Sequence, residues 1–278
     1  MSSSALPGPD PARTETPAGH HHRVHLLTLK GQPGPQVALP AAFSAPVRPD
    51  LIRRAVVAAQ ANRRQPHGTK PMAGLQHSTR WSGKGKGVAR TPRLMDSMRG
   101  AQAPNTVGGR QAHPPRVETI WAKKINVKER RLAFAAALAA TREARLARAR
   151  GHTFPEQLHL PVVLEDPAEA INSAAEARSL LGTLKLWEDV ERSRDGVHMR
   201  AGRGKRRGRA RREPKSLLVV TSAPGKAKGF LNLSGVDVVP IDRLGTEDLA
   251  PGGTPGRLTL FTHAAIERLF DRLKESRP

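Results

Sequence analysis

Residues 216–220 read Ser-Leu-Leu-Val-Val, an almost wholly apolar run between a basic stretch ending at Lys215 and the turn-forming Ala223-Pro224-Gly225. A strand with one solvated face alternates apolar and polar residues, so this continuous run predicts a strand covered on both faces. Working outward, Val236 to Ile241, Leu258 to Phe261 and Leu160 to Leu164 repeat the pattern, and Val24 to Leu29 predicts a first strand. Gly31 to Pro49 is a proline-punctuated connection. Amphipathic helices lie between. Ile52, Ala55, Val56 and Ala59 fall at i, i+3, i+4 and i+7 behind Asp50, which suits an N-cap. Pro66 disfavours helical geometry before it and sets the end of that helix. Val127 to Arg150 predicts one long Ala-rich helix with Leu132, Ala135, Ala139 and Leu146 on its inner face. Ala168 to Leu181 predicts another, and a last helix turns Ile266, Leu269, Phe270 and Leu273 inward. The fold class is α/β, a mostly parallel sheet flanked by helices.

Two segments interrupt that alternation. From Arg63 to Arg116 there are eleven Lys or Arg against a single carboxylate, Asp96, with recurrent glycine and proline and few large aliphatics. Such a stretch buries too little apolar surface to offset an ordering entropy of about 1–2 kcal/mol per residue. Structureless runs beyond about 15 residues are uncommon inside compact domains unless they are functional or disordered. Residues 63–116 are therefore expected to form a long extended basic loop that orders on a polyanion. A second basic insertion spans 198–215, with nine Lys or Arg and one Glu between Arg200 and Lys215. The expected organisation is a disordered tail over 1–22, an α/β domain over 23–62 and 117–278, and these two insertions.

The whole composition points the same way. Lys and Arg total 47 against 24 acidic residues in 278, a formal charge of +23. Self-repulsion on that scale opposes compaction unless a polyanion neutralises it, so nucleic acid is the expected partner. No run approaches the roughly 18 apolar residues of a membrane helix, and no secretory signal is visible, so an intracellular, cytoplasmic protein is expected. Without cysteine, disulfides and thiol catalysis are excluded. Aromatics are 3% with no Tyr, so phosphate and shape recognition should outweigh base stacking.

Enzymatic signatures are weak. Gly83-Lys84-Gly85-Lys86-Gly87 lacks the phosphate-loop pattern and follows no apolar strand. Ala223-Pro224-Gly225-Lys226 does follow a strand, but Ala227 stands where a metal-binding hydroxyl is needed. His20, His21, His22 and His25 have no carboxylate or cysteine nearby in sequence, and no metal or other cofactor is expected. Glu165 and Asp166, just before Pro167, suit a turn and helix start rather than a catalytic pair.

Seven collinear segments carry a resemblance. They include Asp50-Leu51-Ile52-Arg53-Arg54-Ala55, Arg63-Arg64-Gln65-Pro66, Lys86-Gly87-Val88-Ala89-Arg90 and Gly108-Gly109-Arg110-Gln111-Ala112-His113-Pro114-Pro115. Lys124 to Ala133, Arg200 to Lys205 and Asp248 to Gly253 complete the set. Over roughly residues 23 to 276 the chain resembles the large-subunit ribosomal protein four family in its archaeal form. The resemblance implies a structural, non-enzymatic protein of the large ribosomal subunit. Its α/β domain would lie on the subunit surface, and its loop would pass through ribosomal RNA, support assembly and help line the nascent-peptide exit tunnel. The stretch around Lys84 to Arg90 would lie near the loop tip. The tail from Met1 to Gly19 has no recognised counterpart.

On this reading the ligand is large-subunit ribosomal RNA, the other partners are neighbouring ribosomal proteins, and no membrane or small-molecule substrate is involved. The RNA-binding residues of the long loop are predicted to be Arg63, Arg64, Lys70, Arg80, Lys84, Lys86, Arg90, Arg93, Arg110, His113 and Arg116. Lys123 and Lys124 join them at its exit. Trp81 either stacks on a base or anchors the loop locally. In the second insertion the residues are Arg200, Arg203, Lys205, Arg206, Arg207 and Arg209. A free RNA chaperone or regulator would share the charge, and a Rossmann-like nucleotide enzyme would share the body. The first should sediment away from ribosomes, and the second should bind a mononucleotide.

Overall fold

The computed structural model describes residues His22 to Glu275, so the expected N-terminal tail, with His20 and His21, lies outside the described residues apart from His22. The chain forms two compact units, a body up to Val57 and from Ile125 onward, and a loop unit, Ala58–Lys124. In chain order the elements begin with β1 (Arg23–Leu27), β2 (Pro33–Ala38), α1 (Pro49–Asn62), β3 (Thr79–Trp81) and β4 (Pro92–Leu94). They continue with α2 (Val127–Arg142), α3 (Ala144–Ala149), β5 (Val162–Leu164), α4 (Ala174–Thr183) and α5 (Trp187–Asp195). After β6 (His198–Met199) and β7 (Arg211–Arg212) come β8 (Leu218–Thr221), β9 (Asp237–Pro240), α6 (Thr246–Leu249), β10 (Thr259–Thr262) and α7 (His263–Glu275).

The body is built on a six-stranded sheet of order β2-β1-β5-β10-β8-β9. All neighbours are parallel except β1 and β2. The continuous apolar runs have the predicted cause, because successive residues of each central strand enter different cores. Val162, Leu164, Val219 and Leu260 pack with Leu180 and Leu181 of α4 and Val190 of α5. Val163, Leu218, Val220 and Phe261 face the other way, onto Ile52 and Val56 of α1, Leu138 of α2 and Ile266 and Leu269 of α7. Phe43 closes that second core edge-on against Phe261, with ring centroids 5.9 Å apart.

Four expectations need correction. The helix expected from Ala168 to Leu181 is a 3-10 turn, Asp166–Ala170, then an extended break at Ile171 to Ser173 before α4. The long Ala-rich helix is two helices, broken at Glu143, whose ψ is 102°. The break falls where the chain changes sides of the sheet: Ala136, Ala137 and Leu138 belong to one core and Ala147 to the other. The inner face of α2 is Ala133, Ala136, Ala137 and Ala140, whereas Leu132 is exposed. The connection after Gly31 contains a strand, β2, which tolerates Pro33 and Pro35 because it lies at the sheet edge. The helix α5 also had no apolar period to reveal it, yet it begins with Glu188 and Asp189 and ends with Arg192 and Arg194, the charge order a helix dipole favours.

Candidate nucleic-acid interface

The loop unit closes on itself at its stem. The Lys123 backbone N–H donates to the Asn62 side-chain oxygen at 2.8 Å, and the Thr69 N–H to the Pro115 carbonyl at 3.1 Å. Trp121 takes the Arg64 guanidinium 3.7 Å from its ring centroid and a nearly parallel His67 ring at 5.9 Å. Gly68 fits because a Cβ there would lie 2.8 Å from the Val117 nitrogen.

Further out, β3 and β4 pair antiparallel, with Arg80 opposite Arg93 and Trp81 opposite Pro92. Like charges placed directly across a strand pair repel. Arg93 is drawn inward instead, donating to the Met98 carbonyl at 2.9 Å and to Ala89 at 3.2 Å, while Arg80 stays exposed. Beyond the pair, Gly83, Gly85 and Gly87 all have positive φ, and a Cβ at any of them would meet nothing within 4 Å. The tip therefore alternates bare backbone with the exposed Lys84 and Lys86. A nucleic-acid backbone can approach such a strip closely, with an ammonium on either side of each glycine. Trp81 is 67% exposed, its ring uncovered, so it is not a local hydrophobic anchor.

Of the predicted residues in this unit, Arg63, Arg64, Lys70, Arg80, Trp81, Lys84, Lys86, Arg90, His113, Arg116, Lys123 and Lys124 are exposed. Arg93 and Arg110 are half-buried. Arg99, which was not singled out, is exposed too, and basic charge alone would have found it.

The second excursion belongs to the body. β6 pairs with β7, and the Arg200 N–H donates to the Ala210 carbonyl at 2.8 Å, leaving a two-turn 3-10 helix, Gly202–Arg207, at the end. Arg200, Arg203, Lys205, Arg206, Arg207 and Arg209 are all exposed, and so are Arg211 and Arg212 of β7, equally basic but not predicted.

A buried network holds the base of this hairpin. Asp189, fully buried, accepts from His152 Nδ1 at 3.0 Å, the Thr153 N–H at 3.1 Å, Arg192 Nε at 3.0 Å and Ser216 Oγ at 2.6 Å. Burial pushes the Asp189 carboxyl up, but these donors outweigh it and hold it at about 2. His152 is pushed below its usual value, chiefly by burial, against the opposing pull of the Asp189 carboxylate. Arg192 also donates to the Lys215 carbonyl at 3.1 Å, and Ser193 to Pro214 at 2.6 Å, so the exit of the hairpin is tied back to α5, from which its entry follows directly in sequence. Nothing in the spacing of these residues marks them as a cluster.

A second buried carboxylate sits at the carboxyl ends of the central strands. Glu169 accepts from the Ser222 N–H at 2.6 Å and Oγ at 2.9 Å, from Thr262 Oγ1 at 2.7 Å, and from Lys226. In doubly wound folds that edge of the sheet is where phosphates bind. Here a carboxylate of the chain itself occupies the donors, and the lysine of the phosphate-loop-like stretch is paired to it. Among the described residues no group of His, Asp or Glu is placed to hold a metal ion, and no helix is long and apolar enough to cross a membrane.

Comparison with known proteins agrees with this arrangement. The Ribosomal protein L4/L1 family matches residues 37–272. The large ribosomal subunit protein uL4 of Methanopyrus kandleri is 47% identical over 256 residues, covering 90% of this chain and 98% of that protein. The uL4 proteins of Halorubrum lacusprofundi and Methanococcoides burtonii are 48% and 46% identical, each covering 88% of this chain and 97% of the relative. The match spans both the sheet-forming body and the glycine-rich loop, and the chain belongs to the ribosomal protein L4/L1 family.

Proposed function

We propose that this protein is a structural constituent of the large ribosomal subunit that binds ribosomal RNA through its two basic excursions and catalyses no reaction. The observation that carries the reading is the loop unit, in which exposed cations alternate with open, positive-φ glycines at a tip with no core of its own. Each phosphate neutralised by Lys or Arg releases counterions, so many such contacts give tight, salt-dependent binding. Arginine adds a planar fork that can bridge two phosphate oxygens or stack on a base. The loop supports subunit assembly and helps line the nascent-peptide exit tunnel, while the body meets neighbouring ribosomal proteins. The protein acts in the cytoplasm, on the ribosome. The carboxylate filling the phosphate edge of the sheet supports a non-enzymatic reading.

The test is sucrose-gradient sedimentation of native lysate, probed for the protein before and after a high-salt wash. Retention on the large subunit through the wash is the expected result. Release to the light fractions would identify a loosely bound factor or free RNA chaperone, and the structural role would be withdrawn.

A further inference from the structure

Within the loop unit, the segments 69–75 and 108–116 enclose a cavity of about 430 Å³. That lies in the range of roughly 300–1,000 Å³ typical of ligand pockets. Three cations, Lys70, Arg110 and Arg116, line it, with no carboxylate among its walls, and the apolar part of the lining includes Pro71, Leu75 and Pro114. The cavity is built rather than incidental. Gly74, at φ +77°, presses against the facing segment, since a Cβ there would lie 2.6 Å from Arg110 Cα. The rim at 69–75 is set by tight turns, Ala73 N–H to the Lys70 carbonyl at 2.9 Å and Leu75 N–H to Met72 at 3.0 Å. The Gln102 side-chain amide then fixes its exit by donating to the carbonyls of Leu75 at 3.1 Å and His77 at 2.6 Å.

A cavity lined by both cations and aliphatic side chains suits a ligand with an anionic group and a flat, weakly polar body. RNA supplies that chemistry wherever a base leaves the helical stack, and such splayed nucleotides are the usual targets of specific RNA recognition. We infer that this cavity receives one unstacked ribonucleotide of the bound RNA, its phosphate on Lys70, Arg110 and Arg116 and its base against Leu75 and the flanking prolines. The inference rests on the RNA-binding reading and adds a nucleotide-sized receptor to what is otherwise a phosphate-tracking surface.

The test uses the full chain and two RNA duplexes, one fully paired and one carrying a single 2-aminopurine bulge. The bulged duplex should bind at least tenfold tighter, with a change in 2-aminopurine fluorescence on binding. Ala112→Trp, which fills the cavity without altering charge, should abolish that difference and leave the affinity and salt dependence for the paired duplex unchanged. Ala73→Trp, on the other rim, provides the same test from a second position. Equal binding of both duplexes, or a preference that survives both fillings, overturns the inference while RNA binding stands. Failure to bind either duplex overturns the RNA-binding reading itself. Displacement of the bulged base by micromolar AMP would identify a free mononucleotide as the ligand and overturn its assignment to RNA.

Discussion

The body and the loop unit hold their shapes in opposite ways. The body does so around two apolar cores, one on each face of its sheet. Between Arg63 and Arg116 only Ser82 and Ala101 are buried, and the loop is held by short turns, a three-residue strand pair and side-chain ties such as Gln102 to Leu75 and His77. Apolar burial contributes about 25 cal/mol per Å², so the body draws its stability from area that the loop lacks. The loop fixes a shape without the area to defend it. On the proposed reading the loop unit serves binding while the body's cores supply stability, so changes in the loop should leave the body's stability nearly untouched.

That separation can be broken by experiment. Phe261→Ala removes a fully buried ring from the second core and should cost about 3–5 kcal/mol in urea unfolding. Val107→Ala, at a loop position 81% exposed, should change stability by less than about 0.5 kcal/mol. A comparable cost at both sites would show that the loop has a hidden core.

Acid probes the body alone. Asp189 titrates at about 2 in the folded state against an ordinary value near 3.8, so its stabilisation is complete above pH 4 and is lost as pH falls toward 2. The wild type should lose about 2 kcal/mol more than Asp189→Asn between pH 5 and pH 2. His152 acts with the same sign, because its lowered value makes protonation favour the unfolded chain below about pH 6.5. Parallel pH profiles for the two proteins would remove Asp189 from the account.

Replacing Pro71 to Pro104 by a short Gly-Ser linker should move the thermal midpoint of the body by no more than a few degrees, while impairing subunit assembly. Collapse of the body would mean the two units share a core. The smallest effect on stability is expected for the triple variant Lys84→Ala, Lys86→Ala, Arg90→Ala, which should not shift unfolding at all. Its RNA affinity should instead lose salt dependence, the log–log slope falling by about 2–3 for the three cations removed. An unchanged slope would take the tip out of the interface.

Sequence reading reached the body where residues repeat a pattern. Continuous apolar runs marked β5, β8, β9 and β10, and the 3.6 period marked α1 and α7. It fell short where position in the fold overrides local preference. β2 carries two prolines that only an edge strand accepts, and the break at Glu143 is required by the crossing from one face to the other. In the interface, charge located the cations without their postures. Arg80 and Arg93 are alike in sequence, yet one faces outward and the other braces the turn. Apart from Arg192, three positions on, the side chains bonded to Asp189 and Glu169 lie from 27 to 93 positions away, a separation no local motif reports.

The order of the sheet has a consequence for synthesis on the ribosome. β10, the last described strand to be made, lies between β5 and β8 in the interior of the sheet. At about 5–20 residues per second it follows β1 by roughly 10–50 s. Until then β5 and β8 face each other across a gap, and neither core can close. A polypeptide that terminates early would therefore carry both basic arms with no folded body behind them. Only a chain read through to β10 can complete the sheet and the two cores that pack on it.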